Sequence, residues 1–304
     1  MDGLSRFFGS RDDVPEWARF FDADSYRAFL EHVGADLKRR GLMYGIDDGV
    51  VEIRRIGAPL KSLGLLNLAQ ACNLSERDEW PSIVASHFDL IVDADLDSAA
   101  GFDDFAAVRP LVKLRLYPPD YAEQGVDLVA SRPIPEVIAA VVLDLPQTVR
   151  TVTEENLKSW GRSREEIFDL ALANVRAGEA PARQDVPLEE GGTLAAYLGD
   201  DFFTATHGLL LPEAGAYGSL VAIPHRHALL VHDIADRTVV NALRRLALIA
   251  FGMFQEGPGS ITPNVYWRRG GTFTLIETRV TATSVTVTPP EAFVTGVLSI
   301  LAGE

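Results

Sequence analysis

The chain has 304 residues, and its 43 Asp and Glu residues outnumber its 28 Lys and Arg residues, which gives a formal net charge of −15. Hydrophobic residues make up 47% and charged residues 23%, as in an ordinary globular protein. Binding to nucleic acid or to an anionic membrane requires clustered positive charge, so this composition argues against both partners. The length fits one large domain or two modest ones.

Cys72 is the only cysteine, so neither an internal disulfide nor a thiolate zinc cluster can form within the chain. Residues 1–8 lack the charged-then-apolar order of a signal peptide. The longest apolar helical stretch, residues 246–254, is far shorter than the roughly 20 residues that span a membrane. We therefore expect a cytoplasmic protein without a membrane partner.

The N-terminal part of the chain predicts a loose terminus at residues 1–13 and then an α+β subdomain at residues 14–117. Asp22 is the predicted N-cap of the first helix and Gly41 its end, with apolar residues at helical spacing between them. The other predicted elements are a β-hairpin over residues 43–56, helices over 63–71 and from Ser75, and a half-buried strand over 112–117.

Residues 118–135 contain four prolines and Gly125, and we predict that this Pro-rich segment connects two subdomains. The second subdomain, residues 136–304, begins with a strand over 137–145 whose apolar run is typical of burial on both faces. Thr153 and Ser163 are predicted N-caps. Further predicted elements are strands over 194–198, 202–211, 220–232 and 280–288, a helix from Asp236, and a hairpin over 265–276.

The predicted fold class is α+β, with mixed, largely antiparallel sheets packed with amphipathic helices and room for two subdomains. Several segments carry a resemblance: Val142-Leu143-Asp144-Leu145-Pro146, Trp160-Gly161, Val221-Ala222-Ile223-Pro224 and Ile261-Thr262-Pro263-Asn264-Val265-Tyr266-Trp267. Together they resemble the YtpQ-like family of uncharacterised bacterial proteins over roughly residues 60 to 270. The resemblance implies a bacterial protein, and it implies no catalytic residues.

The strongest candidate for a segment with catalytic or metal-binding side chains is His225-Arg226-His227, followed by His232. In one continuous strand His225 and His227 would share a face and His232 would lie on the other. His225 and His227 could then supply two zinc ligands and His207 a third. The chain departs from the resembled family's pattern at His225 and His227, which argues against histidine chemistry common to that family. The alternative interpretation is that these residues are ordinary polar side chains at a strand end.

Three other features have both a chemical and a structural interpretation. Asp93, Asp95 and Asp97 mimic the opening of a calcium loop, but the following positions do not fit one, so a solvated acidic loop is favoured. Cys72 lacks an activating base nearby in the sequence and is better explained as a buried apolar residue. The arginines at 244–245 and 268–269 would form a local basic patch for an acidic partner, or simply solvated surface.

The sequence has no P-loop, no dinucleotide-binding glycine motif, no His-Glu-x-x-His and no nucleophile elbow. We therefore favour a non-catalytic binding or interaction module, with a protein or small-molecule partner and no cofactor. The alternative is a metal-assisted hydrolase that uses His225, His227 and His207. A third hypothesis is a subunit whose apolar surface is covered by self-association.

Overall fold

The structure, a computed structural model, describes residues 14–54, 61–89, 102–123, 127–145, 148–188, 192–281 and 284–303. The chain divides into two compact units, Met1–Asp97 and Ser98–Glu304. This division does not coincide with the predicted connection at residues 118–135. That segment lies inside the second unit, because the strands on its two sides pair with each other along six residues.

In its described residues, the first unit packs three α-helices with one small antiparallel sheet. Asp22 caps the first helix by accepting a hydrogen bond from the Ser25 amide at 2.6 Å, as predicted. The elements are α1 (Ala23–Arg39), β1 (Met43–Asp47), β2 (Val50–Arg54), β3 (Lys61–Gly64), α2 (Leu66–Asn73) and α3 (Trp80–Phe88). The helix predicted over 63–71 begins only at Leu66, because the residues before it pair with β2.

The core of the first unit is aromatic and aliphatic. One face of α1, formed by Phe29, Val33 and Leu37, is fully buried and packs in one cluster with Leu68 and Phe88 from the other two helices. Cys72 is also fully buried there, and burial raises the pKa of its thiol to about 12. The thiol is therefore neutral and packs as a small apolar group, which favours the structural interpretation of this residue.

The second unit contains two antiparallel sheets. The smaller sheet has the order β4-β6-β5, and β7 pairs with the end of β6. The larger sheet has the order β14-β13-β12-β10-β11-β9-β8. The strands are β4 (Val112–Tyr117), β5 (Ala130–Ile134), β6 (Val137–Leu145), β7 (Thr148–Thr151), β8 (Ala182–Pro187), β9 (Thr193–Leu198), β10 (Ser219–Ala222), β11 (Ala228–Asp233), β12 (Val265–Arg269), β13 (Thr272–Val280) and β14 (Val285–Thr288).

Two helices of the second unit begin directly after their predicted caps, Thr153 and Ser163, and the helix predicted from Asp236 begins at Val239. Thr153 and Ser163 both form capping boxes, and Asp236 accepts a hydrogen bond from the Thr238 amide just before the longest helix. The helices are α4 (Phe105–Val108), α5 (Glu154–Trp160), α6 (Arg164–Ala177), α7 (Val239–Glu256), α8 (Glu291–Phe293) and α9 (Ser299–Gly303). The turns after Pro290, which the sequence analysis did not predict, lead through a π-helical segment into α9.

The larger sheet separates two cores. One face, with Val221 and Tyr266, packs with Val141 of the smaller sheet. The other face, with Leu220 and Val265, packs with the apolar face of α7 and with α8 and α9. Strand β6 is buried on both faces as its apolar run predicts. The α+β class and the antiparallel pairing are thus confirmed.

Two predicted strands have another structure. Residues 204–210 form a 3₁₀ helix, because the Asp201 carboxylate accepts hydrogen bonds from the Phe203 and Thr204 amides and starts a turn. The strand predicted over 220–232 is a hairpin of β10 and β11, and residues 225–227 lie in the connection between them. In the described part of the chain, no helix has the length and apolar character needed to cross a membrane.

Candidate anion-binding site

The connection between β10 and β11 is held by backbone hydrogen bonds from two sides. The Arg226 amide donates to the Gly259 carbonyl at 3.1 Å, and the Arg226 carbonyl accepts from the Ala205 amide at 3.1 Å. His225 also forms a β-bridge with Ser260. Because its own backbone is fixed in this way, Arg226 projects from a rigid position. We name His225, Arg226 and His227 the histidine–arginine turn.

His225 is a buried, neutral member of this turn. Its ring packs so closely on Gly257 that a Cβ at that position would overlap the imidazole. Its Nδ1 accepts a hydrogen bond from the His227 amide at 3.2 Å, so this nitrogen carries no proton. Burial and then the charges of His227 and Arg226 lower the pKa of His225 to about 4. The ring is therefore uncharged at neutral pH.

His227 uses both ring nitrogens inside the protein. Its Nδ1 lies 3.1 Å from the Gly199 carbonyl oxygen, which can only accept, so Nδ1 is the donor. Its Nε2 accepts a hydrogen bond from Arg226 Nε at 2.8 Å. Burial and the Arg226 charge lower the pKa of His227. The ring thus holds the Arg226 side chain in place, and no nitrogen is left for a metal ion.

The structure does not arrange the three candidate histidines as a metal site. His225 and His227 rings are 6.2 Å apart between centroids, and His207 lies on the 3₁₀ helix Thr204–Leu210, where burial lowers its pKa. Across the residues that the structure describes, no three His, Cys, Asp or Glu side chains converge to hold a metal. The prediction that His225 and His227 share one face of a strand is wrong, because residues 225–227 lie in the connection between β10 and β11.

Two arginines from distant parts of the sequence meet at one aromatic ring. The Arg226 guanidinium lies 4.8 Å from the centroid of Phe202, and the Arg115 guanidinium lies 5.1 Å from the same centroid. Arg115 also lies 4.7 Å from the ring of Tyr117, two residues along β4. Tyr117 is in turn stacked on Tyr121 at 3.8 Å. Both cations are thus positioned by aromatic rings.

We name Arg115 and Arg226 the arginine pair; its charge is not neutralised within the described residues. Arg115 is 8% exposed, its guanidinium makes no hydrogen bond there, and its Nε is buried. Arg226 has one acceptor, the neutral His227 ring. Burial, followed by repulsion from Arg115, lowers the pKa of Arg226 to about 10. Lys113, on the same face of β4 as Arg115, is by contrast paired with Asp144 at 2.8 Å.

Such a pair of guanidinium groups is suited to an oxyanion. Each group is planar, permanently charged at neutral pH and offers several N–H donors in a fixed arrangement that matches carboxylate and phosphate oxygens. The sequence analysis missed Arg115, which it treated as a polar residue of a half-buried strand. The signal available was alternation, since Lys113, Arg115 and Tyr117 must share one face of β4.

The remaining predicted features do not form a site. Arg268 is 5% exposed and donates to the carbonyls of Leu211 and Pro212, so it supports a loop, while Arg244 and Arg245 are exposed on α7. The predicted basic patch is therefore not one surface of four free arginines. The aspartates of the candidate calcium loop, residues 93–97, lie outside the described residues.

Comparison with known proteins finds bacterial relatives over about half of the chain. A UPF0354 protein of Shouchella clausii is 30% identical over 152 residues, 48% of this chain and 56% of the relative. UPF0354 proteins of Bacillus cereus and Listeria monocytogenes are 24% and 25% identical over 55% and 53% of this chain. No family model matches the chain, and no solved structure matches it.

These relatives bear out the resemblance to the YtpQ-like family, whose members carry the UPF0354 name. The matches span between 56% and 62% of the three relatives' own length. The names state no activity, substrate or partner. The comparisons therefore support an uncharacterised bacterial family, and the function has to be argued from the site itself.

Proposed function

We propose that this chain is a non-catalytic binding module that recognises a small molecule through an oxyanion, a phosphate or carboxylate group, at the arginine pair. The observation that carries the proposal is the buried Nε of Arg115, which has no hydrogen-bond acceptor within the described residues, close to Arg226, which has only a neutral one. Buried charges are normally paired, because an unpaired charge loses its hydration without compensation. An oxyanion would supply the missing acceptors.

The geometry favours entry of the anion at Arg226. Arg226 is half-buried, whereas Arg115, which contacts the same Phe202 ring, is almost completely buried. The anion would contact Arg226 from solvent and reduce the repulsion that Arg226 feels from Arg115. Phe202 restricts both guanidinium groups to defined planes, so little conformational entropy remains to be lost when an anion binds.

Binding rather than catalysis is supported by the two neighbouring histidines. His225 Nδ1 and both ring nitrogens of His227 already take part in hydrogen bonds within the protein. A general base needs a free nitrogen within reach of its substrate and a pKa near the working pH. Here the histidines position Arg226. We also propose a cytoplasmic location, which the single buried cysteine supports, and no nucleic-acid partner, which the net charge of −15 supports.

Isothermal titration calorimetry at low ionic strength tests the site. We expect sodium phosphate or sodium acetate to bind saturably, with sodium chloride as the reference salt. Arg226→Gln should weaken this binding about tenfold or more, because a charge-assisted hydrogen bond contributes about 1.5–3 kcal/mol. Arg115→Met should weaken it similarly. The comparison of phosphate with acetate identifies which oxyanion the pair prefers.

Arg244→Gln is the matched control, because it removes an equal charge from an exposed position on α7. It should bind as the parent protein does. The proposal fails if neither oxyanion binds, or if Arg226→Gln binds as tightly as Arg244→Gln while both variants keep the far-ultraviolet circular dichroism spectrum of the parent.

A further inference from the structure

A second feature of the larger sheet lies at the far end of β11 from the arginine pair. A cleft of about 330 Å³ is lined there by β9, β10 and β11 and by the turn that precedes α7. Arg226 and His232 are six residues apart, or roughly 20 Å of extended chain. The cleft therefore shares neither arginine with the proposed oxyanion site.

His232 is a buried and incompletely satisfied residue in the wall of this cleft. It is 3% exposed, and its Nδ1 lies 2.9 Å from the Thr193 carbonyl oxygen. A carbonyl only accepts, so Nδ1 carries a proton, and in the uncharged form of the ring Nε2 is an acceptor. That Nε2 is buried and, within the described residues, has no hydrogen-bond partner. A ligand that donates a hydrogen bond would satisfy it.

The cleft has a glycine in the part of its wall that lies next to the His232 ring. Gly192 lies in its wall with φ at +85°, in the left-handed region that favours glycine. A Cβ at this position would lie 3.0 Å from His232 Cε1 and 3.1 Å from Thr238 Oγ1. Gly192, His232 and Thr238 therefore converge at one point of the wall, and glycine avoids filling the space between them.

The charges around this point favour a cation. Three carboxylates, those of Glu213, Asp233 and Asp236, line the cleft with one cationic side chain, Arg183. Arg183 is already paired with Asp185 at 2.9 Å. Asp236 accepts from the Thr238 amide at 2.8 Å and the Thr238 hydroxyl at 2.5 Å, both at Oδ1, which leaves Oδ2 for a further donor.

We propose that this cleft binds a small molecule through a primary ammonium group, which donates hydrogen bonds to His232 Nε2 and to the Asp236 carboxylate. An ammonium has three donors and no acceptor, which complements a wall whose unsatisfied groups are acceptors. The Asp236 carboxylate and His232 line the same cleft. The volume of the cleft limits the ligand to a small compound of a few to roughly twenty heavy atoms.

Nuclear magnetic resonance of histidine ring nitrogens tests this site, with n-propylammonium chloride as the probe. We expect His232 to show the tautomer protonated at Nδ1, and its Nε2 resonance to shift saturably on titration. Propanol and sodium propionate, which match the probe in shape, should shift it much less. His232→Gln identifies the resonance. Asp236→Asn, which keeps the acceptor for Thr238, should weaken probe binding about fivefold or more.

Asp169→Asn, an exposed change on α6, is the control and should bind the probe as the parent does. A His232 ring protonated at Nε2 overturns the proposal. So does the absence of a saturable shift, an equal response to propanol or propionate, or unchanged binding in Asp236→Asn. If His232→Gln does not fold, the comparison of Asp236→Asn with Asp169→Asn still decides.

Discussion

The two units treat a buried arginine in opposite ways. In the first unit the Arg40 side chain is 7% exposed and donates to Asp36 at 2.5 Å, to Asp89 at 2.6 Å and to the Ala85 carbonyl at 2.8 Å. In the second unit Arg115 is as deeply buried and donates to no described group. The Arg40 guanidinium has acceptors within its unit. The Arg115 guanidinium instead contacts aromatic rings and is repelled by a second arginine.

The difference separates a charge that is paired within the described fold from one that is not. Burial alone would lower the pKa of Arg40, yet its hydrogen bonds to Asp36 and Asp89 raise that pKa overall. No such bonds offset the burial and repulsion that lower the pKa of Arg226. A charge that a fold keeps buried without a partner costs stability, and such costs are concentrated at binding sites.

The largest effect should come from breaking the matched arginine. Asp36→Ala leaves the buried Arg40 without its main carboxylate, which should lower the free energy of unfolding by about 4 kcal/mol. Urea denaturation monitored by circular dichroism would measure this loss. Asp24→Ala removes an exposed ion pair on the same helix and should change stability by less than about 1 kcal/mol. Equal losses in the two variants would show that Arg40 is not held as described.

A pH-dependent effect of about 3 kcal/mol or less should follow from His225. The pKa of this ring is about 4 in the folded chain and about 6.5 in the unfolded chain. Between these values only the unfolded chain binds the proton, so stability should fall as pH falls from about 6.5 to about 4. The same protein carrying His225→Asn should lose less stability over this range. Parallel stability curves for the two proteins would contradict the buried, neutral assignment.

The smallest effect should come from removing the unmatched arginine. Arg115→Met keeps a long apolar stem in contact with Tyr117 and Phe202 but removes the unpaired charge. In buffer without phosphate or carboxylate, we expect its unfolding free energy to lie within about 1 kcal/mol of the parent, with a gain as the favoured direction. A loss as large as that of Asp36→Ala would mean that Arg115 has a partner within the fold.

Local signals in the sequence predicted most of the fold. Caps at Asp22, Thr153 and Ser163, the apolar run of β6 and the hairpin over 265–276 depend on neighbouring residues, and all are confirmed. The strand predicted after Asp201 is wrong. Its alternating apolar residues resemble a strand, but the Asp201 carboxylate starts a 3₁₀ turn. The failure over 220–232 has a similar cause, since two β-rich runs joined by only five residues resemble one continuous strand.

The candidate site was predictable only in part. The sequence drew attention to residues 225–227 because of the two histidines, and the structure shows that these rings are neutral and that Arg226 between them carries the charge. Arg115 and Phe202 come to Arg226 from other strands and loops, so no spacing in the sequence could join them. Missing acceptors are likewise a property of the folded chain, visible only once burial is known.

The pairing and burial of strand β6 limit how readily its part of the second unit unfolds. It pairs with β4 along one edge and with β5 and β7 along the other, and seven of its nine residues are buried. Its amide protons can exchange with solvent only when most of the unit unfolds, whereas β8, an exposed edge strand, can fray alone. We therefore expect the smaller sheet, which carries Arg115, to be the slowest-exchanging part of this unit.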